Sequence, residues 1–422
     1  MTRAQRWGAA IAAVAGAAVA GFTLVPVPEA ALDSALTPLL CLVCGDRGGV
    51  DVLLNVLLFL PWGFGLRLAS GSWRAAVGTG ALLSLFVELL QLTAVPGRDA
   101  SLSDLITNSS GAGLGALAAS GLTTLVRPDP RRAWHLLIAG AAAVMGLSAL
   151  SAWLQAPWFG DGTLITATAR ASWPWVFPGR VTSVTMAGAP RMTGGVPSDS
   201  GALRAALREG RTELEARVVS GAPPGSRRWI FLVREDTHNR LVLGQHRRTA
   251  VLGVPARSLR FRLNSPTLEL PGAFPADTGV PVALEAGTRE LSLWITASHS
   301  GTTRAVRVAL SPAQGWTLVA PFNLGLGPRG RWITALLLSG ALLPLGYWAA
   351  ASRRGPAALA TLAAVPLVAL LAVPAAGGYQ PVHWSEWLAA GSGAAAGWAL
   401  FRGAAYLQAR CGSPSIAESF SS

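Results

Sequence analysis

Three acidic side chains interrupt stretches that otherwise have the composition of membrane helices, and each is followed at helical spacing by an amide. Asp51 precedes Asn55, Glu88 precedes Gln91, and Asp104 precedes Asn108. Spacings of three and four bring both members of a pair onto one helix face. A carboxylate in hydrocarbon costs roughly 2.5–3.5 kcal/mol on insertion scales, so such a residue is usually buried against protein and often functional. A fourth pair, Arg98 and Ser101, lies in the short loop between the second and third stretches. In catalysis Glu88 would be a general base and Arg98 a clamp for phosphate. Oxygen ligands without histidine would suit Mg²⁺ or Ca²⁺ rather than zinc, although no metal ligand is assigned and no cofactor is specified. The bland alternative for Asn55, Gln91 and Asn108 is interhelical hydrogen bonding, worth about 0.6 kcal/mol each. Asp51 and Asp104 also sit at helix N-termini, where a carboxylate caps free amides. Glu88 has no such structural role, which makes it the sharpest functional candidate.

The elements that must position these residues are membrane spans. The chain has 422 residues, of which 51% are hydrophobic and only 13% charged, and that balance excludes an ordinary soluble protein. Apolar runs near twenty residues predict eight spans, at about 7–25, 50–68, 75–95, 103–126, 133–153, 331–351, 357–375 and 384–404. The formal net charge is +13, every basic residue apart from the histidines is an arginine, and the arginines are spread along the chain, which argues against nucleic-acid binding. Arg3, Arg6, Arg67, Arg74, Arg127, Arg131, Arg132, Arg353, Arg354, Arg402 and Arg410 all fall on one side if the N-terminus is cytoplasmic, and only Arg47 and Arg98 occupy the short opposite loops. The C-terminal tail, 405–422, is then cytoplasmic too, in an inner-membrane protein. The basic start, the apolar run and Ala18-Val-Ala20 also fit a cleavable signal peptide, although the run is long for one.

Residues 154–330 differ in kind. Thr212–Val218, Ser258–Leu263, Glu290–Thr296 and Arg304–Leu310 alternate with period two and are expected to be half-buried strands. Pro223-Pro-Gly225 and Asn264-Ser-Pro266 are turn signals between them. The segment is expected to be an all-β sandwich or jelly roll outside the membrane. It holds 20 arginines against 11 acids, so anionic partners are favoured. Domains 1–153, 154–330 and 331–404 follow from this division.

With that topology, Asp51 and Asp104 start their helices at the outer face. Glu88 lies seven residues from the end of its span, about 10 Å deep at 1.5 Å per residue. Asp51, Asn55, Glu88, Gln91, Asp104 and Asn108 would then share the outer half of the membrane and form one pocket facing the β-domain, capped by Arg98 and Ser101. Gly111 and Gly115 form a G-x-x-x-G face for close helix approach. Pro61 frees the carbonyl of Leu57 and would kink its helix.

The run from Asp51 to Gly115 resembles the VanZ-like family of bacterial membrane proteins. Asp51, Asn55, Phe59, Pro61 and Gly63 carry the likeness, followed by Glu88 and Gln91, then Arg98, Ser101, Asp104, Asn108, Gly111 and Gly115. The resemblance implies a helical membrane domain and a link to resistance against the glycopeptide teicoplanin, but no reaction. Ile230–Asp236, Asn239 and Leu243-Gly-Gln245 are similar to laminin-G or concanavalin-type jelly rolls, a likeness that implies glycan or protein binding, sometimes through calcium. Glu386, Gly393 and Gly397 repeat the offsets of Asp104, Gly111 and Gly115, with Ala390 at the Asn108 place and no counterpart of Glu88. Degenerate repeat and coincidence both remain open for that echo.

Three function classes compete. The first is a non-enzymatic envelope protein that binds membrane lipid and a cell-wall or surface glycan. The second is an intramembrane enzyme acting on lipid-linked envelope substrate through Glu88, Asp51 and Asp104. The third, a proton-relaying transporter, is weakest because the acids make no path across the bilayer. No Walker loop, dinucleotide fingerprint, H-E-x-x-H or G-x-S-x-G occurs, and His135, His238, His246, His299 and His383 are scattered. Cys41 and Cys44 form a lone C-x-x-C, read as a structural disulfide or free thiols, with Cys411 apart. Trp173, Trp175 and Trp316 are read as core or interface anchors before sugar-stacking platforms.

Overall fold

The computed structural model describes residues 1–25, 43, 47–95, 101–168, 176–186, 200–236, 238–320 and 325–411. Cys41, Cys44, Arg98, Trp173 and Trp175 lie outside the described residues. The chain divides into two compact units, Met1–Leu136 with Ala350–Arg353 and Ala399–Ser422, and Leu137–Ala349 with Arg354–Trp398.

The first unit is helical. It comprises α1 (Arg3–Thr23), α2 (Gly48–Ser70), α3 (Trp73–Ala94), α4 (Leu102–Ser120) and the short α5 (Leu122–Val126). Thr2 and Gln5 close a capping box at the start of α1. Gly71, with φ +69°, ends α2 in the left-handed region, and Ser72 then caps α3 by accepting from the Ala75 amide, so two residues suffice to reverse the chain. α2 runs through Pro61 as one helix of 23 residues. On α3, Leu82, Leu85, Phe86, Leu89 and Leu92 are exposed while Ser84, Glu88 and Gln91 are buried. That inverted polarity suits a helix with lipid outside and protein within.

α6 (Pro130–Gln155) carries the chain into the second unit. There, among the described residues, ten strands form two antiparallel sheets. They are β1 (Leu164–Thr168), β2 (Arg180–Met186), β3 (Thr212–Val219), β4 (Arg228–Glu235), β5 (His238–His246), β6 (Thr249–Gly253), β7 (Thr267–Leu270), β8 (Pro281–Arg289), β9 (Ser292–His299) and β10 (Thr302–Ala309). One sheet has the order β1-β4-β5-β6-β7 and the other β10-β9-β8-β3-β2. Phe231, Val233, Leu241, Leu243 and Leu252 of the first sheet and Leu214, Leu284, Ala286, Leu293 and Ile295 of the second share one core. An α-helix, α7 (Ser200–Arg208), lies between β2 and β3. After the sandwich come α8 (Pro328–Ala351), α9 (Gly355–Leu367), a π-helical turn at Val368–Ala372, α10 (Val373–Ala376) and α11 (Trp384–Cys411), which belong to the second unit up to Ala349 and from Arg354 to Trp398.

One expected strand is corrected. Ser258–Leu263 alternates in sequence but lies in and just beyond a 3₁₀ helix, Arg257–Phe261, followed by Arg262 in the left-handed region. Three residues per turn put Arg257 and Arg260 on one side. There Arg257 stacks 5.5 Å from the Trp153 ring and Arg260 5.2 Å from the Trp158 ring, a gain no ladder register offers.

Among the described residues, six helices are long and apolar enough to cross a membrane: Arg3–Thr23, Gly48–Ser70, Trp73–Ala94, Pro130–Gln155, Arg329–Ala351 and Gly355–Ala376. α4 and α11, the other two segments read as spans, carry more polar and small residues.

Two expected results concern the second unit. Glu235, only 4% exposed, accepts hydrogen bonds from Arg240 Nε at 3.0 Å and from the Gly162 amide at 3.2 Å, with Arg204 at 4.0 Å. Glu235→Ala leaves those guanidinium groups without their counter-charge and is expected to cost about 3 kcal/mol or more in thermal unfolding of the detergent-solubilised chain. The Tyr379 hydroxyl, in the connection between α10 and α11, donates to the Ala152 carbonyl at 2.6 Å. Burial raises its pKa above the ordinary value of 10.0. The neutral phenol therefore contributes fully below about pH 10 and the contribution fades as the pH climbs further. Tyr379→Phe is expected to lower stability at neutral pH by about 1 kcal/mol and to blunt the alkaline loss.

Candidate functional site

α2, α3 and α4 pack on one another in the first unit, and their polar residues meet along the seam. Close approach is set by glycine. A side chain on Gly111 would overlap the Val56 carbonyl, one on Gly115 the Leu60 carbonyl, and one on Gly63 the Ala112 carbonyl. The G-x-x-x-G face of α4 thus receives α2, and the helix backbones touch.

That approach places the amide of Asn55, on α2, 2.8 Å from Asp104 Oδ1 on α4, to which Nδ2 donates. Ser101 caps α4 by accepting from the Ser103 amide at 3.1 Å, and its own amide donates to Glu88 Oε2 at 2.7 Å. Glu88 is 7% exposed and Asp104 lies within electrostatic reach of it. Glu88 Oε1 accepts no hydrogen bond among the described residues. Below this pair, Asn108 Nδ2 donates to Ser84 Oγ at 2.9 Å. Gln91 Nε2 donates to the Thr23 carbonyl at the end of α1, at 3.0 Å. The arrangement has surplus polarity, because Asn108 Oδ1, Gln91 Oε1 and Trp62 Nε1 are buried and make no hydrogen bond. Buried polar atoms left without a partner are uncommon in folded proteins and costly.

Asn55, Glu88, Ser101 and Asp104 are therefore joined through two interhelical hydrogen bonds, with Asn108 and Gln91 held by other partners. Asp51 lies exposed on the first turn of α2. Arg98 lies outside the described residues. Ser84 and the Thr23 carbonyl were not among the residues anticipated. The spacing 84, 88, 91 marks one face of α3, which is the signal that could have found Ser84. Among the described residues, no three of His, Cys, Asp and Glu gather where they could hold a metal ion. Chemically the cluster is rich in acceptors: two carboxylates and two orphaned amide oxygens against one orphaned indole donor. It suits a partner that brings hydrogen-bond donors, such as hydroxyl, amide or ammonium groups.

The second unit offers an open hollow of about 670 Å³ on the β10-β9-β8-β3-β2 sheet, lined by Arg211, Arg289, Arg307, Trp294, Glu213 and Thr296 among others. Arg307 faces Trp294 directly across β10 and β9. Three guanidinium groups beside an indole make a surface suited to anionic, ring-bearing partners.

A family model described as VanZ/LLP1 matches residues 10–125, which covers α1 from Ala10 on, all of α2 to α4 and most of α5. No curated protein and no solved structure matches the chain.

Proposed function

We propose that this chain is a multi-pass protein of the bacterial cytoplasmic membrane that binds envelope material, a glycan or an anionic envelope component, and that Glu88 is the centre of its intramembrane site. The observation that carries the reading is Glu88 itself. It is a carboxylate buried in an apolar helix, held by one backbone amide, with its second oxygen accepting no hydrogen bond among the described residues and Asp104 within electrostatic reach. A glue residue needs no charge, whereas a site for a donor-rich headgroup or sugar gains from one.

The same reading gives the chain eight spans, with both termini cytoplasmic and the β-sandwich outside. The arginine distribution supports it, as does the glycine packing that seats α4 among longer apolar helices. The sandwich is read as a laminin-G-like jelly roll whose arginine-lined hollow takes the anionic part of the envelope. The tie to glycopeptide tolerance rests on the family name. The test is titration of the detergent-solubilised chain with a polyprenyl-diphosphate-linked amino-sugar disaccharide, read as a thermal shift. A rise of several degrees is expected, and no shift at saturating probe would refute this reading for that ligand class.

One observation favours a second reading. Two carboxylates in electrostatic reach of one another can divide acid and base roles, and turnover of the same probe, lost in both Glu88→Gln and Asp104→Asn, would establish an enzyme instead.

A further inference from the structure

α8 and α11 meet as α2 and α4 do. Leu60-Pro61-Trp62-Gly63-Phe64 has a counterpart in Leu343-Pro344-Leu345-Gly346-Tyr347, and Ser110-Gly111-Ala112 with Gly115 has one in Ser392-Gly393-Ala394 with Gly397. The contacts correspond residue by residue. Side chains on Gly393, Gly397 and Gly346 would overlap the carbonyls of Ser339, Leu343 and Ala394, which are the counterparts of Val56, Leu60 and Ala112. The preceding helix also corresponds, since Gly16 of α1 packs on Trp62 and Gly140 of α6 on Leu345. α3 and the helix Gly355–Ala376 are both 22 residues long. They are followed by connections of equal length, 95–101 and 377–383. Even the caps agree. Ser101 Oγ accepts from the Ser103 amide at 3.1 Å, and His383 Nδ1 from the Ser385 amide at 3.3 Å. The Asp104 amide donates to the Ser101 carbonyl at 3.2 Å, and the Glu386 amide to the His383 carbonyl at 2.9 Å.

What differs is the polar set. Leu338, Leu370 and Ala390 stand at the places of Asn55, Glu88 and Asn108, and only the acid of Asp104 is kept, as Glu386. Glu386 faces different company. It lines a cavity of about 130 Å³ with Ser311, Gln314, His383, Arg307 and Arg331. It is 5% exposed, and its Oε2 accepts from Ser311 Oγ at 2.6 Å, while Oε1 accepts no hydrogen bond among the described residues. Arg307 and Arg331 are exposed and form no ion pair among those residues. Trp332 and Trp384, adjacent in sequence to Arg331 and His383, are 80% and 66% exposed. Exposed tryptophans beside arginine at helix ends belong to a membrane–water interface.

We propose that α6, α8, α9–α10 and α11 are a second, diverged copy of the α1–α4 bundle with the β-sandwich inserted between its first two helices, and that its Glu386 cavity is a separate site for a zwitterionic headgroup bearing a phosphate ester and a primary ammonium. The phosphate pairs with the two guanidinium groups at the wall, and the ammonium donates to Glu386 Oε1. At roughly 30 Å³ per water, the cavity has room for about four waters, enough for an aminoethyl end with the phosphate at its mouth. The site stands on other residues than Glu88 and does not depend on the reading given to Glu88; with the hollow on the sheet it shares Arg307 alone.

The test uses the full chain in nanodiscs, with retained lipid counted by native mass spectrometry. Phosphatidylethanolamine is expected to be retained at least tenfold over phosphatidylcholine, whose methylated nitrogen has no N–H to donate, and over phosphatidylglycerol, which has no cation. Glu386→Gln keeps the acceptor for Ser311 and is expected to abolish the preference over phosphatidylcholine. Arg331→Gln, an exposed change that leaves the core intact, is expected to weaken retention about tenfold. Soluble glycerophosphoethanolamine competing with the lipid would show that the headgroup suffices, and failure to compete would assign the site to membrane-embedded lipid. Equal retention of the three lipids by the wild type would overturn the proposal, as would an unchanged preference in Glu386→Gln or loss of retention in Glu88→Gln alone.

Discussion

Gly115→Val is expected to destabilise the helical unit by about 3 kcal/mol and to leave little folded protein after extraction in mild detergent. A side chain at this position runs into the Leu60 carbonyl and the Phe64 amide, both backbone atoms that no rotamer change can move aside. The only relief is to part α2 from α4, which breaks the Asn55–Asp104 bond and the packing along the whole seam. Gly78, on α3, is the matched control. A side chain there meets nothing within 4 Å, so Gly78→Val is expected to leave the thermal midpoint within a degree or two. Equal effects at both positions would mean that the α2–α4 contact does not hold the unit together.

The second large effect is on binding. Glu88→Gln is expected to weaken the polyprenyl-linked probe tenfold to hundredfold, the span that corresponds to a charge-assisted hydrogen bond of about 1.5–3 kcal/mol. Glutamine has nearly the same size and its carbonyl can still accept from the Ser101 amide, so the change removes charge and little else. Asp104→Asn is expected to have a smaller effect, because Asn55 still finds an oxygen at 2.8 Å. Binding that survives both substitutions would move the ligand to the arginine-lined sheet, where Trp294→Ala and Arg307→Gln are the corresponding changes.

Glu88, Gln91, Asp104 and Asn108 stood out in the sequence because helical spacing fixes which residues share a face and an acid in an apolar run is conspicuous; Asp51 stood out for the same reason but lies exposed on the first turn of α2. The helix approach was legible in Gly111 and Gly115 for the same reason. Ser84 shares the face of Glu88 and Gln91 by the same spacing, but an uncharged serine draws no attention in an apolar helix, and its part shows only once Asn108 is seen opposite. The alternation of Ser258–Leu263 mimics a strand, and only the tryptophans at 153 and 158 explain why the chain coils there instead. The echo at Glu386, Gly393 and Gly397 was visible as an offset, yet its meaning needed the interhelical register. Pro344 and Gly346 correspond to Pro61 and Gly63 only once α8 is seen against α11.

The measurement that bears most directly on the account is the thermal midpoint of the ligand-free chain in detergent, wild type against Glu88→Gln. The account predicts equal or higher stability for the variant, because a carboxylate kept for a ligand is a cost to the unliganded fold. A loss of several degrees would mean that Glu88 is there to hold α3 to the start of α4, and the intramembrane site would be contradicted.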